Sequence, residues 1–120
     1  MHARMQLITE QGKKILFVDL SNCSAREVEE IARSAPDYIT SQPLRSVLLL
    51  ADFTGASVDS EAVRAMEESA VFDKPYIKKS AWIGARDFPR EFQEQITRFS
   101  GRELPAFRSR QEALRWLVKD

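Results

Sequence analysis

Cysteine, histidine and long apolar runs are nearly absent from this sequence. Its 120 residues include one cysteine, Cys23, and one histidine, His2. A single cysteine excludes an intramolecular disulfide and argues against a cysteine-based zinc site. No apolar run approaches the roughly 20 residues that a transmembrane helix needs, and residues 1–6 lack the apolar segment of a signal peptide. We therefore expect a cytoplasmic protein without a membrane span.

The sequence also lacks net charge, but its charges are unevenly distributed. Residues 1–73 carry 7 Lys and Arg against 12 Asp and Glu, a net of −5, whereas residues 74–120 carry 11 against 6, a net of +5. A basic half can indicate nucleic acid or an acidic partner. Because these basic residues are spread out and alternate with Glu, we interpret them as solvated helix faces and expect no nucleic-acid partner.

Short apolar runs alternate with amphipathic segments along the chain. Residues 14–20 (KILFVDL) and 46–53 (SVLLLADF) are typical of strands buried on both faces of a parallel sheet, and residues 76–83 predict a third such strand. Residues 6–9, followed by a turn at Gly12, predict an antiparallel hairpin at the start of the chain. Residues 104–107 predict a short last strand.

Four helices are predicted between and after these strands. Ser24 with Glu27, and Ser109 with Glu112, have the spacing of capping boxes that open the first and last helices. Pro36 is expected to end or kink the first helix near Ala35. The second helix is predicted from about residue 59 to residue 72. The third is predicted to end at Gly101 and to bury one stripe, formed by Phe88, Phe92, Ile96 and Phe99.

The element order predicts one α/β domain over residues 1–120. Repeated strand–helix units favour a mostly parallel five-stranded sheet with an N-terminal antiparallel hairpin, covered by four helices. Ligands of such sheets bind beyond the carboxyl ends of the strands. The loops expected there offer little reactive chemistry, because His2, the one histidine, lies in an N-terminal segment that we expect to be frayed, and residues 84–86 lack the glycines of a nucleotide-binding loop. We predict no catalytic residue, no metal and no cofactor.

Three positions in these loops leave alternatives open. Cys23 is either a reactive thiol before the first helix or a structural cysteine. Asp19 and Asp52 end neighbouring strands, and they form either a catalytic pair or two caps of local turns. Ser60 lies where free backbone N–H groups favour an anion, although Asp59 and Glu61 flank it; the simpler interpretation is that Asp59 or Ser57 caps the helix.

The strand–helix segments together resemble the bacterial SpoIIAA-like group, which shares the fold of STAS domains. The resemblance rests on residues 14–20, 48–66 (LLLADFTGASVDSEAVRAM), 72–84 (FDKPYIKKSAWIG), 98–107 and 111–117. It implies regulation through protein contact, as in anti-sigma-factor antagonists, where a kinase phosphorylates a serine in an Asp-Ser-Ser-Gly stretch. Asp59-Ser60-Glu61-Ala62 matches that stretch in its first two residues only, because the second serine and the glycine are replaced by Glu61 and Ala62.

Two functions follow as hypotheses. The first is a non-catalytic regulatory or protein-interaction module, which forms a homodimer or binds another protein. Its partner surface would comprise Asp52, Thr54, Ser57, Asp59 and Ser60. The second is a carrier of a small apolar or lipid ligand, since the resemblance extends to CRAL-TRIO domains. Its pocket would be lined by Trp82, Phe88, Phe92 and Phe99, although these aromatic residues can equally be core. An enzyme, the third class considered, would need perturbed carboxyl groups at the strand ends.

Overall fold

The computed structural model describes residues 1–119, except the side chain of Asp87. The strands are β1 (Met5–Glu10), β2 (Lys13–Asp19), β3 (Val47–Asp52), β4 (Ile77–Ile83) and β5 (Ala106–Phe107). The α-helices are α1 (Ala25–Ile39), α2 (Ser60–Asp73), α3 (Arg90–Ser100) and α4 (Arg110–Val118), and Lys74–Tyr76 and Ala85–Asp87 form short 3₁₀ helices. No helix among residues 1–119 is both long enough and apolar enough to cross a membrane.

The five strands form one sheet in the order in which they occur along the chain. β1 pairs antiparallel with β2, and β2 to β5 are parallel to one another. Asp19 and Asp52 lie opposite each other, so β2 and β3 end at the same edge of the sheet. The predicted architecture, a mostly parallel five-stranded sheet with an N-terminal hairpin and four helices, is confirmed.

The helices lie on both faces of the sheet, but unequally. Right-handed crossovers between neighbouring parallel strands place their helices on one face, and α1, α2 and α3 share a core there with the sheet. On the other face, Ala113, Leu117 and Val118 of α4 pack against Phe17 and Leu50. The carbonyl groups at the end of α4 accept hydrogen bonds from strand lysines, Lys13 Nζ to Val118 O at 2.9 Å and Lys79 Nζ to Trp116 O at 2.9 Å.

Local sequence signals account for several element ends. Gln11 and Gly12 both have positive φ, which suits the tight hairpin between β1 and β2. Ser24 and Glu27 form the predicted capping box of α1, and Ser109 Oγ accepts from Glu112 N at the start of α4. Gly101 ends α3 in the left-handed conformation, where its N–H bonds Thr97 O at 2.8 Å.

The structure differs from the sequence-based expectations at the end of α1 and in the exposure of one basic residue. α1 does not end near Ala35 but continues through Pro36 to Ile39, which is fully buried and anchors the last turn. Because Pro36 lies so close to the end, only a few hydrogen bonds follow it, and Pro36 O itself accepts from Thr40 N at 2.9 Å. The basic residues of the C-terminal half are not all solvated, since Arg102 is only 9% exposed.

Candidate functional site

The loops that follow β2, β3 and β4 are joined by backbone hydrogen bonds at the carboxyl edge of the sheet. Leu20 N donates to Asp52 O and Asn22 N to Thr54 O, both at 2.8 Å. Phe53 N donates to Ile83 O at 2.9 Å, and Ser57 N to Cys23 O at 2.9 Å. The three loops therefore form one layer whose backbone polar groups bond to each other across the edge.

Two glycines allow the loops to approach this closely. A Cβ atom on Gly84 would lie 2.8 Å from Thr54 Cα and closer still to Thr54 N, and one on Gly55 would overlap the Asn22 side chain. Both glycines have positive φ, which side chains disfavour. Each of these two positions therefore requires glycine for two reasons: the positive φ of the backbone and the lack of space for a Cβ atom.

The strand-end carboxylates are occupied by their own turns. Asp52 Oδ1 accepts from Thr54 N at 2.9 Å and from Thr54 Oγ1 at 2.7 Å. Asp19 Oδ1 accepts from Ser21 N at 3.0 Å, and Asp19 Oδ2 pairs with Arg4 at 3.3 Å. Partial burial raises the pKa of Asp19, but the Ser21 hydrogen bonds and the Arg4 charge outweigh it, so that the pKa is lowered overall. This geometry favours turn capping over an acid–base pair.

The five residues predicted as a partner surface follow one another along this edge. Thr54, Ser57, Asp59 and Ser60 are exposed, and Asp52 is half-buried. Asp59 is the N-cap of α2, since its Oδ1 accepts from Ala62 N at 2.8 Å. We call Asp52, Thr54, Ser57, Asp59 and Ser60 the exposed strip.

Two arginines share a surface depression with Ser60. Arg33 of α1 and Arg64 of α2 line it together with Ser60 and Glu61, and its volume is about 150 Å³. Arg33 also pairs with Glu29 at 3.1 Å and with Glu68 at 3.4 Å. Sequence reasoning noticed the acidic neighbours of Ser60 but missed both cations. Arg64 lies one turn after Ser60 and could have been found by helical spacing, whereas Arg33 comes from another helix.

The predicted aromatic pocket is mostly core. Trp82, Phe53 and Phe88 pack ring against ring, with centroids 4.5–5.2 Å apart. Phe92 is half-buried. Phe99 is 58% exposed, so its placement in a buried stripe was wrong, because Ile96 and Ser100 take the inward positions of α3.

A small cavity lies between the sheet and the helices α1 and α2. Its volume is about 80 Å³, and Trp82 is the only member of the predicted aromatic pocket that lines it. The remaining wall is apolar, with Val18, Ile31 and Phe53 as examples, except for Ser69, Asp73 and Arg102. The sequence did not point to Asp73 or Arg102, which are separated by 28 intervening residues and meet only when α2 and α3 pack side by side.

Asp73 is an ionisable group without a full set of partners. It is 2% exposed, its Oδ2 accepts from Ser69 Oγ at 2.9 Å, and its Oδ1 has no hydrogen-bond partner among the described residues. Burial raises the pKa of Asp73 to about 6, although the Ser69 hydrogen bond and the Arg102 charge act in the opposite direction. Arg102 directs its own hydrogen bonds to Ala70 O at 3.4 Å and to Ser80 Oγ.

Cys23 has the environment of a structural cysteine. Its residue is 1% exposed, and burial raises the pKa of its thiol, with the Arg4 charge opposing that shift. The thiolate is the reactive form of cysteine. The environment therefore disfavours nucleophilic chemistry at this position.

Comparison with known proteins supports the fold. The chain is similar to a solved structure from Shewanella loihica PV-4, an uncharacterised protein of the DUF3478 family with a SpoIIAA-like fold. The two share 16% identity with a TM-score of 0.72, over 95% of this chain and 92% of the other. No family model and no curated protein matches the chain. The SpoIIAA-like fold that the resemblance implied is thus confirmed, and this likeness extends to the fold alone.

Replacement of Gly84 by alanine tests whether the close contact of the loops stabilises the domain. Gly12→Ala is the matched control, because Gly12 also has positive φ but has no atom within 4 Å of the added Cβ. We expect Gly12→Ala to cost about 1–2 kcal/mol for backbone conformation, and Gly84→Ala to cost about 1–3 kcal/mol more because of the Thr54 overlap. Urea unfolding measures both; equal losses would contradict the packing described.

The buried carboxyl of Asp73 predicts a pH-dependent stability difference between wild type and Asp73→Asn. Its folded pKa of about 6 exceeds the unfolded value of about 3.9, so between these values the folded state holds a proton that the unfolded state has lost. This group therefore lowers the free energy of unfolding of the wild type as pH rises through that window. We expect the stability of Asp73→Asn relative to wild type to grow by roughly 2 kcal/mol from about pH 4 to pH 7.

Denaturant unfolding at intervals of one pH unit measures this difference. Asp37→Asn is the control, because Asp37 is exposed on α1. A difference between wild type and Asp73→Asn that stays constant with pH would contradict the buried ionisation.

Proposed function

We propose that this chain is a non-catalytic regulatory or protein-interaction module of the cytoplasm, and that the exposed strip with the first turn of α2 is its partner surface. The observation that carries the proposal is the state of the polar groups at the carboxyl edge. The carboxylates of Asp19, Asp52 and Asp59 are held in local hydrogen bonds. Thr54, Ser57, Asp59 and Ser60 are exposed to solvent. An edge of this kind is suited to contact with another surface more than to chemistry on a bound substrate.

The rigidity of the loops supports this proposal. The hydrogen bonds between the three loops fix the backbone of the exposed strip, so a partner would meet a surface that needs little ordering on binding. Ordering of loops is one of the costs that weaken association. A surface fixed in advance avoids much of that cost.

Ser60 is the position through which we propose that contact is regulated. It is the first residue of α2, where free N–H groups and the helix dipole favour negative charge. Arg33 and Arg64 line the same depression and supply two guanidinium groups for a phosphate. Asp59 and Glu61 oppose the added charge, and Arg33 already pairs with Glu29 and Glu68, so a phosphate on Ser60 would compete with these carboxylates for the two guanidinium groups.

The phosphorylation proposal predicts that partner capture depends on the charge at residue 60. Wild type, Ser60→Ala and Ser60→Asp would be used as baits in lysate of the source organism, with partners identified by mass spectrometry. Ser41→Asp is the matched control, since Ser41 is an exposed serine that follows the C-terminal end of α1. We expect Ser60→Asp to gain or lose a partner by about tenfold in recovery, the effect of roughly 1.4 kcal/mol. Identical partner lists for all four baits would contradict the proposal.

Carriage of a small ligand is the second candidate, and the apolar cavity is the observation that favours it. At about 80 Å³ it is smaller than an apolar cavity of about 150 Å³, which holds benzene. The cavity would therefore hold only a very small molecule or the end of a ligand's hydrocarbon chain, unless α1 and α2 move apart. The free Oδ1 of Asp73 offers one acceptor in its wall.

Native mass spectrometry tests the carrier candidate on the purified full chain. We expect a bound species of low mass that is lost on denaturation. Ala35→Leu should weaken its binding, because the larger side chain fills the cavity from α1. Ala25→Leu, a substitution of the same size on α1 away from the cavity lining, is the control. A spectrum of the chain alone, under the mildest conditions, would contradict carriage.

A further inference from the structure

A third concave feature lies at the opposite end of the sheet, where the parallel strands begin. It has a volume of about 320 Å³ and is lined by five cations, with Glu103 as its one carboxylate. The cations are Arg45, Lys74, Lys78, Lys79 and Arg102. We call these six residues the basic pocket. The 14 residues of α2 separate it from Ser60 by about 20 Å at 1.5 Å per residue.

Arg102 is a nearly buried cation in the wall of the basic pocket. It is 9% exposed and donates to two neutral groups, Ala70 O and Ser80 Oγ. Asp73, whose charge acts on Arg102, lines the cavity between the sheet and the helices, and no hydrogen bond joins the two side chains in the described part of the chain. A guanidinium has five N–H donors, so Arg102 retains donors for a further acceptor.

The other cations of the pocket form no ion pair within residues 1–119. The ion pairs found there involve Arg4, Arg33 and Arg90, not the cations of the basic pocket. Lys79 donates to the carbonyl groups of Trp116 and Lys119, which are neutral. Like charges held around one concavity repel one another, and an anion placed among them removes that repulsion.

The backbone fixes Arg45 beside the lysines. Arg45 has a φ of +55°, a left-handed conformation that is uncommon for a residue with a side chain. Arg45 N donates to Pro75 O and Ser46 N to Tyr76 O, both at 3.0 Å, which ties this residue to the 3₁₀ helix that begins at Lys74. Such conformations occur often at ligand-binding positions.

We propose that the basic pocket binds a small organic phosphate, recognised through its phosphate monoester group. Lysine binds phosphate as a point charge and arginine through paired N–H groups. The volume falls at the lower end of the range for small-molecule sites, and Ile77 and Trp116 provide an apolar wall for the organic part. A nucleic-acid duplex would instead need cations spread along a face. This proposal is independent of Ser60 and of the carrier candidate.

The test is a titration of the full chain, followed by amide chemical shifts, with inorganic phosphate and with glycerol 3-phosphate. The measurement is made at about pH 7.5, where the monoester is mainly a dianion, and at constant ionic strength. We expect saturable shifts around the basic pocket, and tighter binding of glycerol 3-phosphate because of its organic part. We expect Lys74→Glu/Lys78→Glu to lower the affinity at least about tenfold.

Arg26→Glu/Arg86→Glu is the control for net charge. Both residues are exposed near the carboxyl edge of the sheet, and the change in net charge is the same. We expect this variant to keep its affinity within about twofold, since distant exposed charges are screened at moderate salt. Equal loss in the two double variants would show a net-charge effect only and overturn the proposal.

Co-sedimentation with vesicles distinguishes the source of the phosphate group. Vesicles of phosphatidylcholine with phosphatidic acid present the monoester on a lipid, and vesicles of phosphatidylcholine alone are the blank. Binding of glycerol 3-phosphate supports a free ligand. Binding only to phosphatidic acid, abolished by Lys74→Glu/Lys78→Glu, supports the same recognition on a headgroup. No binding of any of the three phosphate probes overturns the proposal.

Discussion

The handedness of the strand–helix–strand connections is the constraint on which the rest of this structure depends. Because β2 to β5 are neighbours in chain order and such crossovers are right-handed as a rule, their helices are expected on one face, where α1, α2 and α3 share a core with the sheet. The same geometry brings the loops after β2, β3 and β4 to one edge and the starts of the strands to the other. The exposed strip and the basic pocket therefore occupy opposite ends, and α2 extends from one to the other.

Local patterns predicted most of the fold because their causes are local. The apolar runs of β2 and β3, the capping box of Ser24 and Glu27 and the terminator Gly101 each depend on a few consecutive residues. The predictions made from Pro36, for the end of the first helix, and from Phe99, for the buried stripe of the third, failed because both residues lie in the last turn of a helix. There, few hydrogen bonds remain to be lost, and the side chain can project beyond the neighbouring core.

The sites were harder to predict because they depend on packing between distant segments. The exposed strip lies on one continuous stretch and was recognisable from its residue types. Arg33 near Ser60, Asp73 near Arg102, and Arg45 beside Lys74 are each brought together by tertiary structure. A sequence pattern shows the charge of such residues but not which of them lie close together in the folded structure. Arg102 is the residue that lines both the cavity and the basic pocket among the described residues.

The order of strands in the sheet has a consequence for synthesis. Since the spatial order equals the chain order, each strand leaving the ribosome pairs with an edge that is already present, and no strand has to insert between two others. The face later covered by α4 stays open meanwhile, with Phe17, Leu48 and Leu50 uncovered until the last nine-residue helix has emerged. The nascent chain is therefore most prone to self-association just before its final helix is released.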